Sequence, residues 1–125
     1  FQQLENATAI NNLLDSPYET TRTLAIKAVN DLRLYDSRNK LKEMYELETL
    51  INKIEIIKAI KNIGDQADFN FLESIILSGN VTQKVEACRS LYFVNNEGKE
   101  RLEQLKQKTE INIDQYLAHV TDPRN

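Results

Sequence analysis

The stretch Lys53-Ile54-Glu55-Ile56-Ile57-Lys58-Ala59-Ile60-Lys61-Asn62-Ile63-Gly64-Asp65 has a counterpart on each side of it, 31 residues away in both directions. Upstream lies Arg22-Thr23-Leu24-Ala25-Ile26-Lys27-Ala28-Val29-Asn30-Asp31-Leu32, and downstream Lys84-Val85-Glu86-Ala87-Cys88-Arg89-Ser90-Leu91-Tyr92-Phe93-Val94. Without a gap, the alignment pairs Arg22/Lys53/Lys84, Ala25/Ile56/Ala87, Ile26/Ile57/Cys88, Lys27/Lys58/Arg89, Ala28/Ala59/Ser90, Val29/Ile60/Leu91 and Leu32/Ile63/Val94. A fixed period of this length marks a solenoid, in which each unit buries apolar surface on its neighbours. The pattern points to binding rather than to chemistry.

Composition narrows the class. A chain of 125 residues, 41% hydrophobic and 28% charged, suits one globular domain whose core grows as repeats stack. Three Gly and two Pro are too few for the turns of a β-rich fold, and long apolar-periodic segments between short polar turns predict an all-α protein. The net charge of −3 and the pI near 5.2 argue against a nucleic-acid partner, which needs excess Lys and Arg on one face. One Cys excludes an internal disulfide; a cytoplasmic location fits this but is not required by it. No apolar run reaches the roughly 18 residues of a membrane span. The start, Phe1-Gln2-Gln3-Leu4, has neither Met nor a signal peptide and reads as a piece of a longer protein. Any targeting segment or membrane anchor would then lie outside it.

Apolar residues Leu4, Ala7, Ile10, Leu13 and Leu14 predict a first helix ended by Asp15-Ser16-Pro17, with Ser16 capping the next helix and Pro17 in its first turn. That second helix is expected to run to about Leu34, burying Ala25, Ala28, Val29 and Leu32. Asp36 or Ser37 would cap a third helix with Leu41, Met44 and Tyr45 inward, and Glu48 to Ile63 forms the fourth, with Gly64 as a left-handed C-cap. Phe69, Leu72, Ile75 and Ile76 mark a fifth, and Asn80 or Thr82 begins a sixth that buries Val85, Ala87, Leu91 and Val94. The first helices share the period, in Ile10/Leu41/Leu72 and Leu13/Met44/Ile75, so the repeating unit is a helix pair. The units are about 4–35, 36–65 and 66–97. In 98–121 the register slips: Leu102 and Leu105, then Ile113, Tyr116, Leu117 and Val120, give a shortened, highly charged pair expected to cap the C-terminal end.

The turn Asp15-Ser16-Pro17 followed by Arg22, Ala25, Ala28-Val29 and Leu32 resembles the HEAT repeat, and Lys53, Ala59-Ile60, Ile63-Gly64-Asp65 and then Lys84, Ala87, Leu91 continue the likeness. The chain departs from that pattern with Lys at 53 and 84 in place of Arg, and with Glu46 and Leu77 at the turn position of Asp15. The resemblance implies a right-handed α-solenoid of about three and a half to four antiparallel helix pairs. First helices would lie on its convex side and second helices would line its concave side, with scaffolding and binding roles.

Lys27, Lys58 and Arg89 project about 160° from the buried direction of the second helices, with Lys61 and Tyr92 beside them, so one exposed face carries a strip of cations. Phe93, at the place of Asp31 and Asn62, adds an aromatic anchor unless the terminal pair covers it. The competing reading is a solvated face on which Glu55 and Glu86 neutralise the strip. Arg22, Lys53 and Lys84, about 60° from the core direction, suit a structural ladder to turn carboxylates such as Asp15 or Glu46, or to turn carbonyls. Cys88 falls on a core column, the only His is His119 on the last helix, and together they build neither a catalytic pair nor a zinc site.

The expectation is therefore a non-catalytic interaction or scaffold domain for a protein or peptide, an acidic one matching the strip, without cofactor, nucleic acid or membrane insertion by this segment. Two alternatives stay open: a module like the HEAT-type chromophore lyases, with chemistry near Cys88 or His119, and a nucleic-acid-binding HEAT-like domain with a basic, aromatic-lined groove.

Overall fold

The computed structural model describes the backbone of residues 2–120 and the side chains of residues 6–118. Eight α-helices occupy them: α1 (Gln2–Leu13), α2 (Glu19–Asp31), α3 (Arg38–Met44), α4 (Leu50–Ile63), α5 (Phe69–Ser78), α6 (Val81–Val94), α7 (Asn96–Lys108) and α8 (Ile113–Val120). No strand occurs among the described residues. Of the residues expected inward, Leu4 and Val120 have side chains outside the described set, as does His119.

The repeated columns form the core. α4 packs between α2 and α6, while α1 lies on α2, α3 on α4 and α5 on α6; α7 and α8 both lie against α6. Ala25, Ile26, Val29, Ile56, Ile57, Ala59, Ile60, Ile63, Ala87, Cys88 and Leu91 are buried, joined by Leu41, Tyr45, Phe69, Leu72, Ile75 and Ile76 from the intervening helices. Each large side chain so placed contributes about 1.5–3 kcal/mol. Leu102, Leu105 and Ile113 extend the core into the last two helices. Ser90 illustrates how tightly the period is matched, its hydroxyl donating to the Ile57 carbonyl at 3.2 Å across the α4/α6 contact.

Side-chain caps set the starts of α4, α6 and α7. Thr49 accepts the Asn52 N–H at 3.3 Å, and Asn80 accepts from Gln83 N at 2.9 Å while Gln83 Oε1 accepts from Asn80 N at 2.8 Å. Asp65 and Asp68 close a capping box around the 3₁₀ turn Gln66–Asp68. Asn95 caps α7 by accepting from Gly98 N at 3.0 Å.

Several expectations need correction. α2 starts at Glu19, with Tyr18 as an N-cap that makes no side-chain bond; Ser16 Oγ accepts the Tyr18 N–H at 3.1 Å, and Pro17 stays outside the helix. Ser37 does not cap α3; its hydroxyl donates to Asn11 at 2.7 Å. α2 stops at Asp31, short of Leu34. Arg33 takes the left-handed conformation at φ 54, with Leu34 N–H donating to the Val29 carbonyl and Arg33 N–H to the Asn30 carbonyl. These two bonds make a Schellman ending. It turns Leu32 outward to 54% exposure, although its column is buried at Ile63. Leu13 is also exposed. Gly64 is not left-handed: its φ of −80 and ψ of 170 are extended. Its need for glycine is steric, since a Cβ there would stand 2.5 Å from the Ile60 carbonyl oxygen.

Candidate functional site

The outward residues of α2, α4 and α6 follow one helical row on each helix: Leu24, Lys27 and Asp31; Glu55, Lys58 and Asn62; Glu86, Arg89 and Phe93. Lys27, Lys58 and Arg89 hold the same place in the 31-residue period, on helices that pack in the order α2, α4, α6. Beside this row Asn62 Nδ2 donates to Asn30 Oδ1 at 2.7 Å, tying α4 to α2. The rows of opposite sign run alongside each other, with Glu55 and Glu86 one turn nearer the helix starts.

Neutralisation of the strip is slight. Lys58 reaches Glu55 only at 3.8 Å, with its side chain 43% exposed. Among the described residues Lys27, Lys61 and Arg89 form no ion pair. At the α6 end, Phe93 is 51% exposed and meets Tyr92 edge to face at a centroid distance of 5.0 Å. The terminal helices cover Tyr92 rather than Phe93: the Lys99 ammonium lies 4.8 Å from the Tyr92 ring centre. A cavity of about 300 Å³ opens there, lined by Tyr92, Lys99, Glu100, Leu102, Glu103 and Leu117. Thus Tyr92 is fixed in place and Phe93 remains presented.

The expected ladder through Asp15, Arg22, Lys53 and Lys84 forms only at its first rung, and with a different acid. Arg22 pairs with Glu48 at 2.6 Å and donates to the Ser16 carbonyl at 3.0 Å. Asp15 instead meets Lys40 at 2.5 Å. Lys53 lies over the Tyr45 ring, 5.3 Å from its centre, and neither it nor Lys84 makes an ion pair among the described residues. The reason is reach: Glu48 opens the α4 segment beside α2, whereas Asp15 points toward α3.

Glu48 illustrates how a buried carboxylate is kept charged. Burial pushes its pKa up, but hydrogen bonds from Arg22 and Asn52, the Arg22 charge and the Thr49 N–H outweigh this and leave it below the usual carboxylate value. Asn52, itself fully buried, donates to Glu48 at 3.0 Å and accepts from Thr23 at 2.5 Å. A second polar cluster joins α3 to the turn before α5. Asp68, 1% exposed, meets Arg38 at 3.3 Å and Lys42 at 2.6 Å, while Asp65 meets Arg38 at 3.0 Å. The Arg38 bond, helped by the Ala67 N–H, holds the Asp65 carboxyl below its ordinary value. The sequence reading missed these pairings because Arg38, Lys42 and Glu48 recur in no column.

Cys88 is fully buried, and burial pushes its thiol up to about 12, so it stays protonated at neutral pH. No protein-family model, curated protein or solved structure matches the chain. No helix among the described residues is long and apolar enough to cross a membrane.

Proposed function

We propose that the chain is a right-handed α-solenoid of HEAT-like antiparallel helix pairs acting as a non-catalytic protein-binding or scaffold domain, and that its second-helix face is the binding surface. Lys27, Lys58, Lys61 and Arg89 supply charge on that face, and Tyr92 with Phe93 supplies an aromatic anchor. The observation that carries this reading is the spare capacity of the strip: among the described residues three of the four cations lack an ion pair, next to a half-exposed phenylalanine. An acidic peptide or protein segment is the matching partner, because charge complementarity at a rim steers encounter and fixes register. The parallel row of Glu55 and Glu86 repels a continuous phosphate backbone, which disfavours nucleic acid.

The test compares the wild-type domain with Lys58→Glu/Arg89→Glu in pull-downs from cell extract, after circular dichroism has established equal helicity. A partner held by the wild type and lost by the variant supports the reading. Equal retention moves the site off this face, and salt-sensitive binding of duplex DNA replaces the reading with a nucleic-acid one.

A further inference from the structure

A second surface lies away from the cation strip, where the turns between first and second helices meet. The 3₁₀ turn Tyr45–Leu47 and the start of α6 enclose a cavity of about 120 Å³, bounded by Tyr45, Glu46, Lys53, Ser78, Gly79 and Gln83. Glycine at 79 is dictated by crowding: a Cβ would stand 2.8 Å from the Ile75 carbonyl oxygen and 2.9 Å from Gln83 Cβ. Gln83 is thereby drawn in beside the turn. Its Oε1 is taken by the Asn80 N–H, so its amide group donates to Tyr45 Oη at 3.0 Å.

That arrangement leaves hydrogen-bonding capacity unused. Tyr45 is only 3% exposed, and its oxygen accepts from Gln83, yet its own O–H proton meets no acceptor among the described residues. Burial raises its pKa, with Gln83 opposing and Glu46 adding to the rise, so the phenol is a donor at neutral pH. Lys53 offers a second donor, a charged one, held over the Tyr45 ring without a carboxylate partner among the described residues. Aliphatic residues close in sequence to those that line this slot are exposed. Leu47 is 95% exposed, Val81 66%, Ile51 63%, and Leu50 and Leu77 each 48%. Single exposed aliphatics are ordinary, but these five all lie within three residues in sequence of Glu46, Lys53, Ser78 or Gly79, and exposed apolar surface beside a polar slot is of the kind that partners cover.

We propose that this turn edge docks a protein segment in which one Asp or Glu is flanked by aliphatic side chains. The carboxylate enters the slot and accepts from Lys53 and from the Tyr45 hydroxyl, and the flanking aliphatics cover Leu47, Leu77 and Val81. Charge complementarity selects this occupant, since the buried end of the slot holds a cation and a neutral donor, while the spare acceptors, the Glu46 carboxylate and the Ser74 and Ser78 hydroxyls, belong to exposed residues. Glu46 also sets a limit: a singly charged carboxylate is repelled by it less than a doubly charged phosphoserine.

The experiment uses the whole chain, labelled at Leu, Ile and Val methyls, titrated with a blocked Gly-Leu-Asp-Leu-Gly peptide and with the same peptide carrying Asn or phosphoserine in place of Asp. The Asp peptide is expected to shift the Leu47, Leu77 and Val81 methyls and to bind about tenfold more tightly than the Asn peptide, the range of one charge-assisted hydrogen bond. Lys53→Met keeps the alkyl chain over Tyr45 and should erase that tenfold preference without changing the fold, whereas Glu46→Gln should tighten binding of the Asp peptide. Lys58→Glu, on the other face, should leave it unchanged, so failure here is separable from failure of the cation strip. Absence of methyl shifts, equal affinity for the Asp and Asn peptides, an Asp preference that survives Lys53→Met, or tighter binding of the phosphoserine peptide would each overturn the proposal.

Discussion

Leu32, Ile63 and Val94 occupy one column of the repeat and meet three fates. Ile63 ends α4 in the middle of the molecule and is 1% exposed; Leu32, past the end of α2, is 54% exposed; Val94, ending α6 under the terminal helices, is partly buried. The residue types are nearly interchangeable, so intrinsic hydrophobicity does not separate them. Burial here is a property of the neighbours. The central unit has a packed helix on either side, while at α2 the Schellman turn through Arg33 swings the chain away before Leu32 is covered.

The largest test of this contrast is truncation of the column. Ile63→Ala should cost about 2–5 kcal/mol in urea denaturation, whereas Leu32→Ala should stay within about 0.5 kcal/mol. Equal effects would break the comparison. Cys88 sharpens the same point kinetically: with a buried thiol pushed up to about 12, labelling by a disulfide reagent should proceed only as fast as the domain opens, and should become fast in denaturant.

Next in size is the pairing that links α2 to the α4 segment. Arg22→Ala leaves the carboxylate of Glu48, whose side chain is 5% exposed, without its guanidinium, and the expected loss is about 2 kcal/mol. The pH dependence gives an independent check. Glu48 and Asp65 both have folded-state pKa values below their unfolded ones, so the folded state binds fewer protons over that interval. Their stabilisation is complete above the ordinary carboxylate value of about 4 and is lost as pH falls through the depressed folded values. In Arg22→Ala the burial of Glu48 is unopposed by its main partner, so the gap in urea midpoint between wild type and variant should narrow on acidification from neutral pH to about pH 3. A constant gap would mean that Arg22 acts through packing alone.

Smaller effects belong to the exposed face. Asn62→Ala removes the bond to Asn30 and should cost about 0.5 kcal/mol. Smallest of all is Lys58→Ala, whose 3.8 Å contact with Glu55 should be worth at most about 0.5 kcal/mol in thermal unfolding. A large loss there would mean that the strip serves the fold rather than a partner.

Much of this was legible in advance. The columns Ile26/Ile57/Cys88 and Val29/Ile60/Leu91 are buried as their spacing predicts, and Phe69, Leu72, Ile75 and Ile76 all face inward. The same helical phase that buries Ala25 and Ile56 turns Lys27, Lys58 and Arg89 away from the core, but only Lys27 is exposed; Lys58, Lys61 and Arg89 are half-buried. Helix ends were less legible. Leu32 and Leu34 continue an apolar pattern, but a pattern cannot register that Arg33 turns left-handed and closes α2 at Asp31. Gly64 looked like a helix terminator for its conformational freedom, yet what excludes a side chain there is the Ile60 carbonyl.

The slot at Tyr45 was illegible for a related reason. Tyr45 and Gln83 are 38 residues apart, off the period, and their bond depends on Gly79 allowing Gln83 to approach. The sequence by itself determined the all-helical class and the inward and outward faces of the repeated helices, because helical phase is local and a 31-residue period repeats it. Only the tertiary structure decided which acid meets Arg22, which apolar residues stay uncovered and where donors are left unspent. Those outcomes depend on the distances between side chains of different helices, which no single segment encodes.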